Sequence, residues 1–240
     1  MSEPTLEASE IDAIRERIAQ NLRGVQERVA AAAERSGRSP DDVLLVAVSK
    51  TWPVPIVQAA VHAGALALGE NRVREAQVKI LEVKAAPPWH LVGHLQRNKA
   101  KVAVGLFDTI QSVDSARLAR EIGKHAVSAG KEVSIQLQVN TSGEASKFGV
   151  EPDDLEALVE ETIDVEGVAV EGLMTIAAYT DDKASVRKCF VVLRELRDRV
   201  SSNVTSIRHL SMGMTGDFEM AIEEGATVVR VGTAIFGQRS

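Results

Sequence analysis

The stretch Val43-Leu-Leu-Val-Ala-Val-Ser-Lys50-Thr-Trp-Pro53 decides the fold. Six apolar residues run without a break and end in a Ser-Lys pair. A run that short, valine-rich and apolar on both faces suits a strand of a buried parallel sheet better than a half-exposed one. Pro53 and Pro55 stop the strand, and proline fits the first turn of a helix. The Lys50 amine therefore falls just past the carboxyl end of a buried strand, where α/β proteins keep their ligands. Among apolar walls a lysine is poorly solvated as a cation, which lowers its pKa and frees a neutral amine to form imines with aldehydes. The other reading of the same position is a lysine that only reaches solvent at a strand end.

Outward from this stretch, short strands alternate with helices. Strands are expected at 43–48, 65–68, 89–92, 107–111, 133–139, 167–174, 207–210 and 227–231. Helical patterns fall between them at 54–62, 71–83, 95–104, 115–128, 152–162, 182–201 and 217–223. Eight strands separated by helices predict a parallel sheet, and eight is the number that closes a (β/α)8 TIM barrel. A doubly wound open sheet is the alternative, but it carries a glycine fingerprint after its first strand, and Ser49-Lys50-Thr-Trp-Pro53 has none. Ahead of the first strand, Ile11, Ile14, Ile18, Leu22, Val25 and Val29 recur at three- and four-residue steps. They predict an amphipathic helix over 9–36, stopped by Gly37. That helix is read as packed on the barrel's flank; a coiled-coil dimer seam is the other reading.

Composition bounds the function. The chain has 240 residues, 45% of them hydrophobic and 26% charged, enough for one domain of barrel size or two small ones; no linker-like Pro/Gly/Ser tract divides it, so residues 1–240 are read as one domain. A net charge of −6 without a basic run argues against a non-specific nucleic-acid binder. One cysteine, Cys189, excludes an internal disulfide framework and fits a reducing compartment. The acidic start, Met1 to Glu7, has no apolar core of a secretory signal, and no apolar run approaches the ~20 residues of a membrane helix. A cytoplasmic protein is expected.

In a barrel, function gathers just after each strand. Gly69-Glu70-Asn71 is a polar turn opening a helix, where Asn71 is either a ligand contact or an N-cap. His90 and His94 are four apart, but metal ligation at that spacing needs a helix and Gly93 marks a turn, so His90 is read as a hydrogen-bonded barrel residue. The loop from Asn140 to Gly149 is long and polar, and it offers Lys147 as a second amine near the mouth or as an exposed lysine. The last two strand ends, His209 to Asp217 and Val229 to Gly237, carry small residues where this fold binds phosphate. The anion is assigned to the Ser211-Met212-Gly213 turn and to the Gly232-Thr233 helix start, because Asp217 and Glu219 would repel it from the helix after strand seven. A lysine amine facing a phosphate cradle defines an aldehyde that carries a phosphate, and pyridoxal 5′-phosphate fits both. Arg230, between the two anchors, cannot accept a proton and would keep the pyridine nitrogen unprotonated.

A family resemblance runs through the same residues. Ala47-Val-Ser-Lys50-Thr, Gly69-Glu-Asn71, His90-Leu-Val-Gly93, Leu95-Gln96, Asn140 with Ser142-Gly-Glu-Ala-Ser-Lys147, Gly172-Leu-Met174, Leu210-Ser-Met-Gly-Met214 and Arg230-Val-Gly-Thr-Ala-Ile-Phe-Gly237 resemble the pyridoxal phosphate homeostasis (YggS/PROSC-type) family. The resemblance covers about Ile11 to Arg239. It implies a fold-type III barrel like the N-terminal domain of alanine racemase and a Schiff base between the cofactor and Lys50. It also implies phosphate contacts from Ser211, Gly232 and Thr233, with Arg230 at the ring nitrogen. The family is described as binding and buffering the cofactor inside the cell, without established catalysis and often as a monomer, with apo-enzymes as possible recipients. Two departures stand out: Thr215 replaces a serine common in the family, and Arg97 replaces a smaller residue.

An amino-acid racemase of the alanine racemase type is the alternative function. Such enzymes pair the lysine with a tyrosine from a C-terminal β domain. Here the sequence ends about three residues after Gly237, and its only tyrosine, Tyr179, follows strand six. Racemization is expected to be weak or absent.

Overall fold

The computed structural model describes residues 8–238, with side chains from residue 12 onward. The acidic stretch from Met1 to Glu7, the Ile11 side chain and Arg239 lie outside the described residues. The chain opens with α1 (Ala8–Arg35) and then alternates: β1 (Leu44–Val48), α2 (Val54–His62), β2 (Ala67–Glu70), α3 (Val73–Glu82), β3 (Trp89–Leu91), α4 (Ala100–Leu106), β4 (Thr109–Val113) and α5 (Ala116–Ser128). It continues through β5 (Val133–Gln138), α6 (Leu155–Thr162), β6 (Val168–Met174), α7 (Lys183–Ser201), β7 (His209–Ser211), α8 (Phe218–Glu223), β8 (Val228–Val231) and the short α9 (Thr233–Phe236). The eight strands pair in parallel and in sequence order, and the sheet closes where β1 meets β8. Val46 of β1 is the seam residue, paired with Ala67 on one side and Arg230 on the other. This is a TIM barrel.

The apolar run of β1 is buried because it faces two cores. Leu45 and Ala47 join the large cluster between barrel and helices, while Val46 and Val48 meet Ala67, Val92 and Val228 in a smaller one. Alternating residues of one strand thus feed opposite faces, and neither face is wet. Helix α1 packs against α2, α8 and α9. Its stripe of Ile18, Leu22, Val25 and Val29 is buried within the chain, at roughly 1.5–3 kcal/mol per side chain. That stripe is therefore not free to pair with a second copy. The helix ends where Gly37 turns to φ 71°, with Arg38 N–H bonded back to the Ala33 carbonyl.

Several boundaries differ from those expected, and the differences matter for the site. The second strand begins two residues late, because Ala65 still belongs to the turn that leaves α2: Gly64 has φ 91° and Ala65 N–H bonds to the Ala60 carbonyl. Gly69 and Glu70 are therefore strand residues, and Glu70 is buried. The fourth strand likewise shifts to Thr109–Val113, which puts Gln111 in its middle. The seventh runs on to Ser211, which is therefore part of the barrel wall and not of a loop. The helix expected at 95–104 divides into a 3-10 turn, Arg97–Lys99, and α4.

Candidate functional site

A cavity of about 650 Å³ opens at the carboxyl ends of the strands, a size suited to a small ligand. Val48, Lys50 and Trp52 line it from the end of β1, Asn71 from the end of β2 and Val92 from the end of β3. Ile176 follows β6, and Met214, Thr215 and Gly216 follow β7. Arg230, Gly232 and Thr233 come from β8 and α9, with Gly237 and Gln238 beyond them. Two of these residues are cations, Lys50 and Arg230, and none is a carboxylate. In a chain of net charge −6 this is a local excess of positive charge.

Lys50 is exposed, so the apolar enclosure expected around its amine is absent. Its neighbours are the fixed part. Ser49 N–H bonds to the Gly69 carbonyl at 2.9 Å, and Ser49 Oγ donates to Glu70 Oε1 at 2.6 Å. Thr51 takes φ 66°, a left-handed conformation that a β-branched residue adopts only when its surroundings impose it. Trp52 then folds against Phe236 of α9, their ring centroids 6.3 Å apart and 28° from coplanar.

Arg230 is placed in the opposite manner. It is buried, and its guanidinium is held by two hydrogen bonds: Nη1 donates to Ser211 Oγ at 2.5 Å and Nη2 to the Thr175 main-chain carbonyl at 2.7 Å. Ser211 Oγ in turn donates to Gln111 Oε1 at 2.8 Å, and the Gln111 amide lies 2.8 Å from His90 Nδ1. Because Gln111 Oε1 accepts from serine, its amide donates to Nδ1, and the proton of neutral His90 sits on Nε2. Burial pushes the His90 pKa down to about 4, and it lowers that of Arg230 to about 10, against an opposing pull from Asp217. At neutral pH the line from His90 through Gln111 and Ser211 is thus uncharged and ends on a cation.

The Ser211-Met212-Gly213 turn lies behind the cavity wall. Ser211 and Met212 are fully buried, and the Ser211 hydroxyl is spent on Gln111 and Arg230. Gly213, at φ 94°, passes beneath α8 so closely that a Cβ would come within 2.6 Å of Ala221 Cβ. None of the three lines the cavity; the next three residues do. The Met214 N–H is taken by Asp217 Oδ1 at 2.5 Å. Among the described residues, the backbone N–H groups of Thr215, Gly216 and Gly232 donate to no protein acceptor. Glu219, read as a source of repulsion, instead pairs with Arg28 of α1 at 2.8 Å.

The remaining positions separate clearly. Asn71 is not the N-cap of α3, which is Arg72; Asn71 is half-buried and borders the cavity. Gly93 is what lets it sit there, since a Cβ on Gly93 would fall 2.3 Å from the Asn71 carbonyl oxygen. His94 stacks on Phe148 at 3.7 Å between centroids and faces Asp114 at 3.4 Å, apart from His90 and its partners. Lys147 lies outside the cavity lining, with its amine bonded to Glu144 Oε1 at 2.8 Å and to the Ala177 carbonyl at 2.6 Å. Tyr179 is 98% exposed and lines no part of the cavity. Sequence reasoning missed Gln111 and Thr175, whose only signal is a polar residue inside or just after an apolar strand, and it missed the buried pair Glu70 and Lys79.

A family model described as alanine racemase, N-terminal domain, matches residues 15–240. A pyridoxal phosphate homeostasis protein of Aquifex aeolicus is 42% identical over 222 residues, which cover 92% of this chain and 97% of that one. The protein of the same name from Escherichia coli K12 is 36% identical over 229 residues, with the same coverage of 92% and 97%. The chain belongs to the pyridoxal phosphate homeostasis protein family. Among solved structures, this family member is similar to PipY of Synechococcus elongatus with PLP bound: 36% identity, TM-score 0.80, 92% of this chain and 100% of PipY. A crystal structure described as an unknown protein from Bifidobacterium adolescentis is 39% identical, with TM-score 0.88 and 98% of each chain covered. Alanine racemase of Clostridium difficile shares the fold alone, at 16% identity and TM-score 0.71, with the match covering 92% of this homeostasis-family chain and 56% of the racemase.

Proposed function

We propose that this chain binds pyridoxal 5′-phosphate in the mouth cavity and buffers or delivers it, without turning over a substrate of its own. The observation that carries the reading is the cavity's composition: the side chains of Lys50 and Arg230, no carboxylate among the lining residues, and backbone N–H groups without a protein acceptor among the described residues. The names of the curated relatives and the PLP-bound PipY structure support it from outside the chain. Lys50 would hold the cofactor covalently through its side-chain nitrogen, once that nitrogen has given up its proton to solvent, and the bound group would supply an aldehyde for that bond. Gly232, Thr233, Thr215 and Gly216 receive the phosphate, with Asn71 at the rim. Arg230, which cannot accept a proton, would meet the pyridine end of the cofactor and disfavour a protonated ring nitrogen there, so that the ring would be a weaker electron sink. Ser211, with Met212 and Gly213 behind it, serves the site indirectly by fixing Arg230. The chain works as one unit, a cytoplasmic monomer whose first helix seals the barrel's flank, and apo-enzymes that use the cofactor are its recipients.

The test is covalent. Incubation with pyridoxal 5′-phosphate, borohydride reduction and peptide mass mapping should put one equivalent on Lys50, and unreduced holo-protein should activate an apo-enzyme. A modification confined to Lys147 would move the imine elsewhere. Alanine racemization should stay at background with cofactor saturating; turnover that Tyr179→Phe abolishes would restore the racemase reading.

A further inference from the structure

Beneath the Lys50 turn lies an ionic cluster that the cofactor site itself does not require. Lys79 of α3 is buried and donates to three oxygens: the Ser49 carbonyl at 2.7 Å, Glu70 Oε1 at 2.7 Å and Glu75 Oε1 at 2.6 Å. Glu70 Oε1 also accepts from Ser49 Oγ at 2.6 Å, while Glu70 Oε2 is buried with no partner among the described residues. Glu75 Oε1 also accepts the N–H of Thr51. The residues before and after Lys50 are therefore both bound to groups gathered on one ammonium. A buried cluster that leaves a carboxylate oxygen unsatisfied is poor stabilisation by itself. Its contacts with residues 49 and 51 are what it achieves.

The backbone explains the need. Thr51 takes a left-handed φ of 66°, which turns the chain sharply after Lys50 and toward Pro53. A β-branched residue relaxes from that region unless it is held. With Ser49 and Thr51 fixed, the Cα–Cβ direction of Lys50 is fixed too, although its amine stays exposed. We propose that Lys79, Glu70 and Glu75 are positioning residues that clamp the turn and aim the Lys50 side chain into the cavity. The inference rests on the reading that Lys50 captures the aldehyde, and it goes beyond that reading by assigning a role to a cluster outside the cavity lining.

Glu75 is the useful handle, because its side chain is 24% exposed and its loss need not unfold the chain. In the cofactor-free protein, Glu75→Ala should speed hydrogen exchange of the Thr51 amide, a readout independent of any bound ligand. In the loaded protein it should slow imine formation with pyridoxal 5′-phosphate about tenfold and weaken the induced circular dichroism of the bound chromophore, since small misplacements of a reacting group cost that much or more. Glu75→Gln keeps the acceptor and should recover most of both. Lys79→Met should exceed Glu75→Ala in every readout. Native exchange at Thr51 and a native capture rate in Glu75→Ala would overturn the clamp. If Lys50→Ala leaves the imine band intact, the aldehyde reading itself fails; if Lys50→Ala removes the band and Glu75→Ala changes nothing, only the clamp fails.

Discussion

Lys50 and Arg230 share one cavity, yet Lys50 is exposed and fixed through the backbone on either side of it, whereas Arg230 is buried and fixed through its own guanidinium. Under the proposed reading, Lys50 forms and releases a covalent bond, which needs a side chain that can swing. A group that only recognises needs one that cannot. The β1 side of the mouth therefore holds the residues before and after Lys50 and leaves the amine loose, while the β7–β8 side places a line of neutral partners behind a cation.

The contrast can be broken most severely at Ser211. Ser211→Ala removes the hydroxyl between Arg230 and Gln111 and leaves two buried polar groups short of a partner, at about 3 kcal/mol. Urea unfolding of the cofactor-free protein should show that loss, while the preference for pyridoxal 5′-phosphate over pyridoxal should survive. A variant as stable as the parent but blind to phosphate would return Ser211 to the cradle.

His90 sharpens the same contrast through pH. Its folded pKa of about 4 lies below the ordinary 6.5, so the unfolded chain takes up a proton first as pH falls. Stability is complete above the ordinary value and drains away as pH falls toward about 4. Between pH 7 and pH 5 this amounts to about 2 kcal/mol. Comparing denaturant midpoints at both pH values, His90→Gln should have a shallower pH dependence than the parent by that amount; parallel slopes would mean that the imidazole stays hydrated. The smallest effect belongs to Thr233→Val. Loss of one hydroxyl should weaken binding of the phosphate ester by about 1 kcal/mol, close to fivefold, and leave pyridoxal binding unchanged. Equal weakening of both ligands would take Thr233 off the phosphate.

The barrel was legible because its strands are short apolar runs and its helices carry three- and four-residue spacing. Helix α2 falls where its flanking prolines and Gly64 place it, at Val54–His62. Lys50, Asn71, Arg230, Gly232 and Thr233 all reach one cavity because strand ends converge in any closed parallel barrel. Ser211 escaped this logic through a one-residue extension of β7, which turned an expected loop hydroxyl into a wall residue. Gly213 escaped it through a positive φ that only coordinates reveal. Lys79 was the least visible. It lies on an amphipathic helix otherwise rich in exposed polar residues, nine positions from Glu70, and nothing in that spacing distinguishes it from a solvated lysine.

The stacking of Trp52 on Phe236 has a practical consequence. The chain has two tryptophans, and only Trp52 borders the cavity; Trp89 is buried at the start of β3, toward the barrel's other end. A chromophore seated beside Lys50 would dim the emission of Trp52. Loading and unloading of this barrel can thus be followed by its own fluorescence, in real time and without a label.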